Sequence, residues 1–138
     1  MKINRYLTSL AILVFVGFAL SAQAADRMRA GQWVGTTIVA GTTYPTSSCV
    51  SQRDAAAING DAKAVQAYLE TIIPPQICKI SDVKADGNKI IYTASCTAGT
   101  TKTAKTVTTS YYGDRSEGMD TTGSKIDAKL VGPCKQQQ

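Results

Sequence analysis

Histidine is absent from all 138 residues. That removes Ser-His and Cys-His dyads, imidazole acid–base chemistry and every zinc or copper site that needs imidazole. Aromatic residues are scarce. The only two phenylalanines, Phe15 and Phe18, sit near the start, and Trp33 is the single tryptophan. There is no C-x-x-C, so a thioredoxin-like redox motif is excluded. No long apolar run follows the first one, and no block of one charge sign occurs.

The first 24 residues have the pattern of an export signal. Lys2 and Arg5 precede an apolar run from Leu7 to Leu20, and Ala22-Gln23-Ala24 is a small-x-small cleavage site. Residues 1–24 are therefore expected to be a cleaved signal peptide. Residues 25–138 are then expected to be one disulfide-bonded α+β domain of 114 residues. The expected product is periplasmic or secreted, and spans no membrane after cleavage. Lys2 and Arg5 leave with the signal, so the 15 basic residues become 13 against 10 acidic ones, a net +3. The remaining lysines are scattered, which fits a solvated surface, and nucleic acid is not an expected partner.

Gly31 to Ala40 is rich in β-branched residues and is expected to be the first strand. Trp33, Thr37 and Val39 share one face by period two. Thr42 to Ser48, with Tyr44-Pro45, is expected to be a loop or edge segment. Ser51 to Ile73 is the one helical region, with Ser51 as N-cap and Asp54 near the positive helix end. Asn59-Gly60 breaks it and Asp61 caps a second piece. Ile58, Ala62, Val65, Leu69 and Ile72 form an apolar stripe, and Pro74-Pro75 ends the helix.

From Cys78 the pattern is an antiparallel meander. Cys78–Ile80 and Ile90–Cys96 flank the turn Ala85-Asp86-Gly87-Asn88. Thr101 to Tyr112 is threonine-rich and polar on both faces, as an edge or poorly buried strand would be. A short strand surrounds Met119. Ser124 to Val131 alternates, with Ile126, Ala128 and Leu130 inward. The expected fold is α+β: a curved antiparallel β-sheet of about five or six strands, with a kinked helical insertion packed on one face and two disulfides.

Cys49, Cys78, Cys96 and Cys134 allow three pairings. Cys49–Cys78 with Cys96–Cys134 is favoured, because the first pair brackets the helical insertion and the second ties the closing strand to the meander. Loops this long each contribute roughly 3.5–4 kcal/mol in the chain-entropy model. A structural role for the cysteines follows.

The order of motifs resembles a known family. Gly31-x-Trp33 opens the domain, Cys49-Val50-Ser51 introduces a helix, and Cys78, a hairpin and Cys96 follow. Tyr112-Gly113-Asp114 precedes a late strand, and Gly132-Pro133-Cys134 ends the pattern. This is similar to the exported bacterial domain-of-unknown-function family 3617, from Gly31 to Cys134. Val34 stands where members often carry Glu, and Tyr112 directly precedes Gly113. The resemblance implies an exported, two-disulfide α+β domain, and it implies no activity or catalytic residues.

Candidate sites are few. Asp114, Glu117 and Asp120 lack the spacing of a calcium loop, and for Asp82, Asp86 and Asn88 the turn chemistry of Asp86-Gly87-Asn88 already explains the pattern. Ser124-Lys125 points to opposite faces of a strand, and Ser116 is not in a G-x-S-x-G elbow. No catalytic, cofactor-binding or metal residues are expected, and no cofactor. Trp33, Tyr44, Tyr111 and Tyr112 are the candidate ligand contacts, since aromatics beside lysines stack on sugars or line apolar grooves. Tyr111 and Tyr112 are adjacent on a strand, so one of them faces solvent.

The function expected is that of a non-enzymatic, monomeric envelope protein binding an envelope ligand or protein partner. One alternative is a carboxylate-dependent envelope hydrolase or transferase using Asp114 and Glu117. Another is an interaction subunit pairing through the polar strand Thr101 to Tyr112.

Overall fold

The computed structural model describes residues 26–135, so the signal peptide expected over residues 1–24 lies outside the described residues. The elements are β1 (Gly31–Val39), β2 (Thr42–Val50), α1 (Gln52–Ile58), α2 (Ala62–Ile72), β3 (Cys78–Asp86), β4 (Lys89–Ala98), β5 (Thr101–Tyr111), β6 (Arg115–Asp120) and β7 (Lys125–Gly132). The seven strands form one antiparallel sheet in the order β2-β1-β7-β6-β5-β4-β3. The expected α+β architecture holds, with more strands than the five or six expected. The Thr42–Ser48 segment is a full edge strand, because its backbone pairs with β1 along its whole length.

β2 and β3 are the two edges. The chain must cross the sheet between them, and it does so through the two helices. Local chemistry fixes these helices. The Ser51 hydroxyl accepts from the Asp54 N–H, and the Asp54 carboxylate accepts from the Ser51 N–H, a reciprocal cap. Asp61 accepts from the Ala64 N–H and starts the second helix. Ala55 packs on Trp33 and Val50, while Ile58, Val65 and Leu69 pack on Ile80, Ile90 and Ala94. Three of the five expected stripe residues, Ile58, Val65 and Leu69, are buried in the core, while Ala62 is only half-buried. Ile72 is 55% exposed, and the half-buried Ile73 packs on the core in its place.

The cysteine pairing differs from the expected one. The bonds are Cys49–Cys134 and Cys78–Cys96. The helices span the sheet, so Cys49 and Cys78 lie on opposite edge strands. Cys78 and Cys96 face each other directly across β3 and β4. β7 returns to pair with β1, which brings the chain end beside β2 and Cys49.

β5 is interior where Val107–Tyr111 pairs with β6. From Thr101 to Lys105 it pairs with β4 alone. The polar composition of β5 thus corresponds to a half-free edge. Its lysines blunt that edge against further pairing.

Candidate functional site

Strand register sorts the side chains into two faces. Trp33 and Thr37 of β1, Ile126 and Ala128 of β7, Ser116 and Gly118 of β6, Val107, Thr109 and Tyr111 of β5, and Ile90, Tyr92 and Ala94 of β4 share the face under the helices. Two glycines clear space on it. A side chain at Gly35 would collide with the Asp127 carbonyl, and one at Gly118 would come within 2.6 Å of Ile126 Cγ2. β1, β6 and β7 can therefore pack closely.

The helices are too short to cover all of this face. Val39 and Ile126 remain 43% and 40% exposed. Between helix and sheet lies a cavity of about 290 Å³, lined from Thr46 and Ser48 of β2 to Ile90 of β4. A second, of about 400 Å³, lies alongside and is lined by Val39, Ile73 and Val107 among others. The two share Tyr92, Val107 and Ile126 as walls, so they adjoin along the sheet face as two lobes of one groove. Its size is that of a small-molecule site.

Trp33 is 2% exposed, forms part of the first cavity's wall, and donates from Nε1 to the Arg29 carbonyl at 2.9 Å. Tyr111 lines the same cavity. Burial, with Tyr92 and Tyr68 nearby, pushes its phenol up to about 12 against the opposing effects of Thr109 and Arg27. Burial also raises Tyr92 and Tyr68, with smaller contributions from Asp120 and Asp54 respectively. Tyr44 lies on the edge strand opposite Thr37, exposed and outside both cavities. Tyr112 is exposed, with the Arg115 guanidinium 4.7 Å from its ring centre. The structure thus brings Trp33 and Tyr111 together and leaves Tyr44 and Tyr112 apart from them. Ser116, Tyr68 and Ile126 were missed. Ile126 had a signal in its alternation; Ser116 and Tyr68 had none, because tertiary packing alone brings them to the cavity.

One ion pair sits in the wall of the second cavity. Lys105 Nζ lies 2.8 Å from Asp120 Oδ2, and the Asp120 side chain is 5% exposed. Its other oxygen accepts from the Thr122 hydroxyl and from the Thr122 and Ser124 N–H groups. Burial opposes the charge, but Lys105 and these donors hold the carboxyl well below the usual carboxylate range. The stability this contributes is full above the unfolded-state value of about 3.9 and is lost as pH falls through the folded one. Asp120→Ala should cost roughly 2–3 kcal/mol at neutral pH. It should also flatten the acid limb of a urea-midpoint-against-pH curve; an unchanged limb would place the acid sensitivity elsewhere.

The carboxylates weighed for hydrolysis lie outside the groove. Asp114 pairs with Arg29 and Glu117 with Arg115, each at 3.4 Å, and all four are exposed. Among the described residues no cluster of three or more acidic, cysteine or histidine side chains is placed to hold a metal. No helix among them is long and apolar enough to cross a membrane.

Fold and site together define a class: an antiparallel-sheet domain with a short helical cover and an open apolar groove. The family model described as a protein of unknown function (DUF3617) matches residues 28–134, and the chain belongs to that family. No curated protein and no solved structure matches the chain.

Proposed function

We propose that the protein is an exported, non-enzymatic binding domain, and that it holds an apolar small molecule in the groove between α2 and the inner sheet face. The observation that carries this is the pair of adjoining lobes, about 290 and 400 Å³, whose exposed walls are mainly apolar. Two disulfides and a core with few aromatics suit a small domain working in an oxidising envelope compartment. The ion-paired, solvent-facing Asp114 and Glu117 favour binding over hydrolysis.

Nile red, an uncharged apolar dye, tests the reading. Wild-type protein should raise its emission saturably, with one dye per chain. Ile126→Glu places a carboxylate on the wall shared by both lobes and should abolish the signal. Ile126 is already 40% exposed, so the fold should tolerate the change. Absence of saturable emission from the wild type would sink the binding reading.

A further inference from the structure

We propose that the lobe bounded by Trp33, Tyr111 and Ser116 receives the polar end of an uncharged amphiphile, a lipid-like molecule whose head is a hydroxyl or carbonyl group. This rests on the binding reading above and specifies its ligand class.

The lining of this lobe contains no Asp, Glu, Lys or Arg. An ionised head entering it would lose water and meet no counter-charge, a cost that apolar contacts do not offset. The polar side chains of the lining are hydroxyls, those of Tyr111 and Ser116 with Thr46, Ser48, Tyr68, Tyr92 and Thr109, beside the Trp33 N–H that the Arg29 carbonyl already accepts. Ser116 is 7% exposed and lines the cavity. A hydroxyl this deeply placed gains from a partner that a ligand brings with it. Tyr111 stays protonated throughout the physiological range and so remains a donor. Hydroxyls both donate and accept, which fits a ligand hydroxyl or ester carbonyl.

The charged groups of the groove are in the other lobe, where Lys105 and Asp120 already satisfy each other. Lys125 is there too, at the rim and exposed. The tail of the amphiphile would therefore run past Val107 and Ile126 toward Val39 and Ile73.

Three probes of equal chain length separate the possibilities: 1-monododecanoylglycerol, dodecanoate and dodecylammonium, each below its micelle threshold. Trp33 is the only tryptophan and forms part of the wall, so its emission reports occupancy of this lobe. The glycerol ester should bind at least about tenfold more tightly than either ion. Ser116→Ala, and Tyr111→Phe independently, should weaken the ester by about fivefold or more, with thermal midpoints near the wild type. Equal or tighter binding of either ion overturns the uncharged-head proposal and leaves the binding reading standing. Ester binding that ignores both substitutions overturns it too, by placing the head elsewhere. No response to any probe, together with no Nile red signal, removes the binding reading itself.

Discussion

Replacing Cys49 and Cys134 together by alanine is expected to lower stability by roughly 4.5 kcal/mol, more than the same change at Cys78 and Cys96. The bond joins residues 85 apart, whereas Cys78–Cys96 joins residues 18 apart. In the chain-entropy model the longer loop contributes roughly 4.5 kcal/mol and the shorter roughly 3 kcal/mol. Native contacts add to the difference. Cys78 and Cys96 are held opposite each other by the β3–β4 ladder even when reduced. Cys134 lies beyond the end of β7, and its bond ties that segment to the edge strand β2. Against a total of about 5–15 kcal/mol for an ordinary domain, the loss is a large fraction. Urea unfolding of the two double-alanine variants checks this. A larger loss for Cys78/Cys96 would mean that local strand geometry outweighs loop closure.

Arg27→Ala is expected to cost roughly 3–5 kcal/mol, from a residue that looks like an unremarkable surface charge in the sequence. Arg27 is 4% exposed. Its Nη1 donates to the carbonyls of Ile58 and Gly60 at 2.7 and 2.8 Å, and its Nε to that of Gly87 at 2.7 Å. Among the described residues no carboxylate pairs with it. The charge is instead held by carbonyl dipoles at the end of α1, where the helix macrodipole is negative. Asn59 completes the junction, accepting from the Arg27 and Met28 N–H groups and donating to the Met28 carbonyl. Removing the guanidinium leaves three carbonyls short of a donor in the junction between helices and the β3–β4 turn. Arg27→Lys should recover only part of the loss, since a single ammonium cannot reproduce the planar fork. The readouts are the urea midpoint and amide exchange at the α1–α2 junction. A wild-type midpoint for Arg27→Ala would assign the junction to Asn59 alone.

What the sequence by itself determined is what a few neighbouring residues can settle. Ser51 with Asp54, and Asp61, start the two helices, and Asn59-Gly60 separates them, because each cap is a hydrogen bond made within four residues. Asp86-Gly87 turns β3 into β4, since Gly87 adopts φ 52° at no steric cost. Alternation placed Ala128 and Leu130 inward for the same local reason: the side-chain period of a strand is two. The tertiary structure decided everything that depends on partners far along the chain. Strand order put β7 beside β1, and that adjacency chose Cys49–Cys134 over the pairing the spacing favoured. Burial of Arg27 depends on carbonyls 31 to 60 residues away. The groove exists because two short helices cross a seven-stranded face wider than they can cover. That mismatch is a property of the packed layers and has no counterpart in any local run of residues.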